Sequence, residues 1–281
     1  MNKFSNLISK TFNIECSTGL ILLAKRYEEN GSLENENTSL VINFYLPLDE
    51  KHQDDNDNFC KYLCLLSKCI VLNIILTPPP LSKFYNAKIE VMDTLEWVWQ
   101  ACLYWKINRK KIYLYADGIS AIPMLSSILD MRNNNPNINI AGMILTNPIL
   151  DFREITTQKS TIDNQDKMKI LKDFLINFTD EKTQIFDNSL SLLSRYDWTR
   201  MTNILLITSK NSISWQNSLS LYHKIINSEG NIIFYQIEAD DFNLEYKKKY
   251  KEKKSVEKLI QTFISNNDPD YIKLLFKDET P

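Results

Sequence analysis

The stretch KIYLYADGISAIPML, from Lys111 to Leu125, constrains the fold more than any other part of this sequence. Its β-branched and aromatic residues predict a short buried strand. The small residues after them predict a tight turn, and the next apolar residues predict a helix. A sharp turn of this kind needs small residues two positions before and two positions after its apex. Ala116 and Ser120 meet this requirement only if Gly118 is the apex. We therefore predict a strand-to-helix elbow in which Gly118 adopts a positive φ angle or another sparsely populated backbone conformation.

Strand-like and helix-like segments alternate along the rest of the chain. Runs typical of buried strands lie at 19–27, 40–46, 69–76, 112–115, 141–145, 203–208 and 231–237, and runs typical of helices at 59–67, 86–104, 215–227 and 253–265. This alternation predicts an α/β fold, with a mostly parallel central sheet and helices on both faces. We expect one domain over residues 1–281, with a small cap-like insertion in the polar segment 151–200.

The N-terminal segment 1–12 carries apolar side chains on one helical face, beside two lysines and no acidic residue. This pattern predicts a short helix that packs on the domain, and it leaves a mitochondrial targeting peptide open as an alternative. No apolar run in the sequence approaches the roughly 18 residues that span a bilayer. We therefore expect a cytoplasmic protein with no transmembrane segment.

The composition is that of an ordinary globular protein, with 43% hydrophobic residues, 24% charged residues and a net charge of -2. It lacks the excess of positive charge that is typical of nucleic-acid binding. The two histidines, His52 and His223, are too few to complete a zinc site with Cys60 and Cys64. We expect buried, reduced cysteines, no metal, no cofactor and no nucleic-acid partner.

Three stretches, in this order, resemble the hormone-sensitive-lipase-like family of α/β hydrolases. The segment IILTPPPLSKFYNAKIEVMDTLEWVWQ (74–100) is similar to the family's Leu-Ala-Pro, Phe-Pro-Ala and Leu-x-Trp run. The elbow falls where the family has Gly-Asp-Ser-Ala-Gly, and MILTNPILDF (143–152) resembles its Leu-x-x-Pro-x-Leu-Asp strand exit. The matching positions of the first segment are Leu76, Thr77, Pro78, Phe84, Ala87, Glu90, Leu95 and Trp97. The resemblance implies an α/β-hydrolase fold.

The sequence departs from this family where the family carries out its chemistry. The oxyanion loop His-Gly-Gly-Gly falls on residues 45–48, where Pro47 has no N–H to donate. The nucleophile position is Gly118, which has no side chain. The nearest equivalent of the family's acid is Asn211, and Asp240 or Asp241 stands where the catalytic histidine is expected. All three positions of the catalytic triad are vacant in this alignment of motifs.

These departures predict a catalytically inactive hydrolase-like protein, not an enzyme, that binds a partner protein or serves as a subunit of an assembly. A binder of a lipid or small apolar ligand in the retained cleft is the first alternative. The second is an esterase-like or lipase-like hydrolase with a relocated site, in which Asp117 and the two aspartates at 240 and 241 supply carboxylates. The candidate cleft residues are Tyr45, Pro47, Asp117, Gly118, Asn211 and Asp240.

Overall fold

Eight strands of the described chain form a single sheet in the order β1-β2-β4-β3-β5-β6-β7-β8. The computed structural model describes residues 4–31, 38–48, 53–134, 138–151, 165–179, 191–195, 197–238 and 253–276. The strands are β1 (Leu7–Glu15), β2 (Ile21–Glu29), β3 (Leu40–Tyr45), β4 (Ile70–Ile75), β5 (Ile112–Asp117), β6 (Gly142–Thr146), β7 (Asn203–Ser209) and β8 (Ile232–Ile237). The helices are α1 (Gln53–Ser67), α2 (Phe84–Trp105), α3 (Ala121–Asn134), α4 (Gln165–Phe178), α5 (Trp215–Asn227), α6 (Lys253–Asn266) and α7 (Pro269–Phe276).

The sheet is parallel from β4 to β8 and antiparallel at β1 and β2. The predicted α/β-hydrolase architecture, with a mostly parallel sheet, is therefore confirmed. Successive strand residues alternate between two cores, because neighbouring side chains of a strand point to opposite faces. In β3, Ile42 belongs to the core beneath α2 and α3, whereas Val41 belongs to the core beneath α1 and α6. Burial on both faces explains why the central strands are almost continuously apolar.

The long helix α2 is fixed near its beginning by a buried carboxylate. Glu90 accepts hydrogen bonds from the Thr77 N–H and the Ser82 hydroxyl, both at 2.9 Å. Burial of the Glu90 side chain raises its pKa. These bonds tie the helix to the proline-containing segment that leads from β4, which is where the family resemblance is strongest.

Three local expectations need correction or addition. The helix predicted within residues 1–12 is wrong, because Leu7–Glu15 forms a strand that pairs with β2 along its whole length. Apolar residues at short spacings fit both periods, and pairing with β2 decides between them. Helix α1 begins at Gln53, earlier than the predicted start at residue 59, and Asp54 and Asp55 lie in its first turn, where acidic residues interact favourably with the helix dipole. Helix α7 was not predicted.

The remaining expectations can be placed as follows. All five cysteines are buried and free, as expected. No helix among the described residues is long and apolar enough to cross a membrane. Only parts of segment 151–200 are described, including α4 and a short 3₁₀ turn at Leu192–Ser194, so its role as a cap stays a prediction.

We expect Gly142→Ala to destabilise the fold by about 1–3 kcal/mol, because the site is already filled. A Cβ at Gly142 would lie 2.8 Å from two ring carbons of Phe263, a fully buried side chain of α6. Chemical denaturation measures the change in the free energy of unfolding. In a Phe263→Leu background the same substitution should be better tolerated. An equal loss in both backgrounds would show that the ring contact is not the cause.

Candidate active site

The elbow forms as predicted from the sequence. β5 ends at Asp117, a 3₁₀ turn covers Gly118–Ser120, and α3 begins at Ala121. Gly118 has a φ angle of 53°, in the left-handed region that favours glycine. No described atom lies within 4 Å of the place where a Cβ at Gly118 would be. The glycine therefore satisfies a backbone conformation and leaves space above the turn.

A cavity of about 250 Å³ lies over this turn, at the carboxyl ends of β3 and β5 and beside the first residues of α1. This is the sheet edge at which open α/β folds bind ligands. Its polar lining includes Asp117, Ser120 and Asp55. The complete set of described lining residues is Asn43, Phe44, Tyr45, Leu46, Leu48, Asp55, Asn56, Phe59, Tyr115, Asp117, Gly118, Ile119 and Ser120.

The structure brings three of the six candidate residues to this cavity, namely Tyr45, Asp117 and Gly118. Pro47 lies between two lining residues but is not itself part of the described lining. Asn211 is exposed beyond the end of β7 and also lies outside the described lining. Asp240, like its neighbour at 241, lies outside the described residues. The assignment of all six to a ligand cleft stays a prediction.

Asp117 is the carboxylate at the base of the cavity, and a chain of hydroxyl groups holds it. The Thr146 hydroxyl donates to Asp117, and the oxygens of Thr146 and Tyr115 are 2.9 Å apart. Because the single hydroxyl hydrogen of Thr146 goes to the carboxylate, Tyr115 must be the donor to Thr146. Asp117 is exposed at the cavity, and partial desolvation by the protein around its carboxylate raises its pKa to about 6.

The loop after β3 is closed by a hydrogen bond to the elbow. The backbone N–H of Leu46 donates to the hydroxyl oxygen of Ser120 at 2.9 Å. The family resemblance places oxyanion donors in this loop, but the Leu46 N–H is already satisfied and Pro47 has no N–H. No acceptor for the hydroxyl hydrogen of Ser120 lies among the residues that the structure describes.

A buried asparagine network beside the cavity was missed in the sequence. The Asn43 amide donates to the side-chain oxygens of Asn56, at 2.9 Å, and of Asn73, at 2.8 Å. Asn43 and Asn73 face each other in the register of β3 and β4. Each of the two apolar strands carries one asparagine near its middle. This was the sequence signal from which the pair could have been predicted, because buried polar side chains need hydrogen-bond partners.

Neither histidine completes a catalytic group in the described chain. His223 is exposed on α5 beside the ring of Tyr222 and is not part of the described cavity lining. His52 lies outside the described residues. Within the described ranges, no group of three histidine, cysteine, aspartate or glutamate residues is placed to hold a metal ion.

Comparison with known proteins identifies relatives of this fold. The model of a family described as alpha/beta hydrolase fold matches residues 50–239. A hyperthermophilic esterase from the archaeon Pyrobaculum calidifontis superposes with a TM-score of 0.79 at 14% identity, covering 92% of this chain and 86% of that one. An esterase from the fungus Rhizomucor miehei has a TM-score of 0.78 at 13% identity, with 92% and 83% covered. A bacterial heroin esterase has a TM-score of 0.79 at 13% identity, with 93% and 84% covered. No curated protein sequence matches this chain.

These findings contradict the prediction that the chain is not an enzyme. The matched family and the esterases that share its fold point to hydrolase activity, so that prediction is wrong. It rested on Gly118, Asn211 and Pro47 at the family's catalytic positions, and it assumed that activity requires those positions. Asp117, a carboxylate that accepts a hydrogen bond from Thr146, lines the same cavity.

We expect Gly118→Val to cost about 1–3 kcal/mol of folding free energy through backbone strain. Space is not limiting, because no described atom lies near the added Cβ. Gly118→Ser should cost less, since its Cβ is not branched. Thermal and urea unfolding of both variants measure the difference. Stabilities equal to that of the parent for both variants would contradict the positive φ angle.

We expect Asp117→Asn to stabilise the fold at pH 7.5 more than at pH 4. The pKa of Asp117 is about 6 in the folded chain, against about 3.9 in an unfolded chain, so ionisation weakens folding as the pH rises through this window. The asparagine cannot ionise. Because the side chain is open to the cavity, the gain should be only a few tenths to about 1 kcal/mol. An equal effect at both pH values in urea unfolding would contradict the raised pKa.

Proposed function

This chain belongs to the α/β-hydrolase fold family, and from that premise we propose that it is an esterase-like hydrolase whose catalytic group is Asp117 and not a serine at the elbow apex. The observation that carries the proposal is a carboxylate with a pKa of about 6 at the base of the cavity over the elbow. With this pKa the carboxyl group is largely ionised at neutral pH. The pKa is also close enough to neutral pH for the group to accept a proton and return it. The esterases that share the fold support the reaction class.

In the proposed reaction, the Asp117 carboxylate accepts a proton from a water molecule while the water oxygen attacks the ester carbonyl carbon. The bond from that carbon to the alcohol oxygen then breaks, and Asp117 returns the proton to the leaving alcohol. One ester and one water become one acid and one alcohol. The space above Gly118 is large enough to admit the water beside the carboxylate, because no side chain occupies it.

Two further residues have proposed roles. The Thr146 hydroxyl positions Asp117 and favours its charged form, since it donates to the carboxylate. Ser120 lines the same cavity, and its oxygen already accepts the Leu46 N–H. Its hydroxyl hydrogen is therefore the donor that we assign to the carbonyl oxygen of the substrate, where negative charge develops.

The size of the cavity favours a small ester. About 250 Å³ is less than the roughly 300–1,000 Å³ of drug-sized ligand sites. A short acyl or acetyl group fits this volume, whereas a long lipid chain does not. This argues against the lipid-binding alternative.

We expect purified protein to hydrolyse p-nitrophenyl acetate and butyrate, with kcat/KM rising through an inflection near pH 6 as Asp117 ionises. Asp117→Asn should lower kcat/KM by about 100-fold or more, as loss of a general base does. Asp173→Asn, which changes an exposed carboxylate of α4, is the matched control and should leave the rate unchanged. Equal rates for the parent and Asp117→Asn would refute the assignment.

Two measurements distinguish this general-base mechanism from one that uses a serine nucleophile. Thr146→Val should move the inflection to higher pH, because the hydroxyl that lowers the pKa of Asp117 is gone. A fluorophosphonate probe should label no residue of the elbow, since the attacking group is water. Labelling of Ser120 would instead identify a serine nucleophile and overturn the role proposed for Asp117.

A further inference from the structure

A second pocket lies at the opposite end of the sheet, where α2 ends. It has a volume of about 390 Å³ and is lined by Lys10 and Phe12 of β1, Arg26 of β2, and Tyr104, Trp105 and Lys106 at the end of α2. Trp105 is the last residue of α2, and β5 begins a few residues later, so the pocket is at the amino end of the parallel strands. The cavity over Gly118 is at their carboxyl end.

Arg26 is the unusual residue of this pocket, because it is a charged side chain that is only 3% exposed. Its guanidinium lies over the Trp105 ring, 4.7 Å from the centroid, and 5.7 Å from that of Phe12. Nη2 donates to Glu28 Oε1 at 2.9 Å, whereas, within the described chain, Arg26 Nε has no acceptor and Glu28 Oε2 has no donor. A buried guanidinium with an unused donor is expensive unless an anion completes its hydrogen bonds.

The charged side chains around the pocket give it a net positive charge. Arg26, Lys10 and Lys106 are cationic, and the carboxylate that faces them is Glu28, which is also 3.8 Å from the Lys10 ammonium. The Lys10 side chain is 53% exposed, and Lys106 is exposed as well, so both can move towards a ligand. An anion is therefore attracted to this pocket.

Aromatic rings form the other part of the lining. Phe12 and Trp105 have ring centroids 5.3 Å apart, and both contact Trp97 behind them. Tyr104 is 87% exposed and stands at the rim. Phe12, Tyr104 and Trp105 all line the pocket, so a planar ligand there would contact aromatic surface.

We propose that this basic and aromatic pocket binds a small aromatic carboxylate, with its ring against Trp105 and Tyr104 and its carboxylate among Arg26, Lys10 and Lys106. A single negative charge fits better than a phosphate dianion, because the pocket lies at the C-terminal end of α2, where the helix dipole is negative. The volume suits a carboxylate with one or two fused rings. This site is independent of the esterase function proposed above.

The test uses 2-naphthoate as the probe, with isothermal titration calorimetry for affinity and the Trp105 indole N–H signal, assigned with Trp105→Phe, for location. We expect a Kd between about 10 μM and 1 mM, which weakens as salt is added. The neutral isostere 2-naphthylmethanol and the non-aromatic cyclohexanecarboxylate should each bind at least about tenfold more weakly, because each lacks one of the two interactions.

Variants at exposed positions keep the test independent of folding, because substitution of buried Arg26 would leave Glu28 without its partner. Lys10→Ala and Lys106→Ala should each weaken 2-naphthoate binding by about three- to tenfold. Lys110→Ala removes an exposed lysine outside the pocket and should have no effect. The proposal is overturned if the Lys10→Ala and Lys106→Ala double variant binds like Lys110→Ala, if the alcohol binds as tightly as the acid, or if millimolar naphthoate does not shift the Trp105 signal.

Discussion

The hydrogen bond from the Leu46 N–H to the Ser120 hydroxyl joins the end of β3 to the turn that follows β5. The rest of the cavity depends on this closure. It holds the loop after β3 against the elbow, so that both line one cavity, with Asp117 and Gly118 at its base and the first turns of α1 on one side. The family motif Gly-Asp-Ser-Ala-Gly has a glycine at the position of Ser120. A glycine there has no hydroxyl, and it would leave the Leu46 N–H free to donate to another group. In this chain the Ser120 hydroxyl accepts from that donor, and we propose that the side chains of Asp117 and Ser120 supply the polar chemistry of the cavity.

The parts of the fold that the sequence predicted are those in which local pattern and tertiary position agree. The central strands are short apolar runs, and the elbow needs a small residue at each defined place, so both were readable from the residues alone. Strand β1 was misread because its apolar residues satisfy a helical period, and only the pairing of Leu7–Glu15 with β2 selects the strand. The decisive contact is between segments, and a single sequence does not display it.

At the site, too, features set by local sequence could be predicted and features set by contacts between strands could not. Gly118 was placed at the apex by the sizes of its neighbours, and its positive φ angle followed from that. The raised pKa of Asp117 was beyond prediction, because it comes from desolvation by the surrounding protein, which outweighs the opposite effect of the Thr146 hydroxyl on the neighbouring strand. The error about enzymatic activity came from counting vacant family positions and taking them as proof of inactivity. Such vacancies can be counted in a sequence, whereas the contact between Asp117 and Thr146 becomes visible only when their strands are side by side.

Strand β1 has a consequence for how this chain behaves in concentrated solution. It stands at the end of the sheet and pairs only with β2 among the described strands, so a row of backbone donors and acceptors faces outward over nine residues. Such an edge is a template on which another extended chain can add and from which fibres grow. Lys10, near the middle of this edge, opposes that growth, because each added strand would have to strip water from its ammonium group or repel an identical charge. We therefore expect Lys10 to disfavour edge-to-edge pairing between copies of the protein.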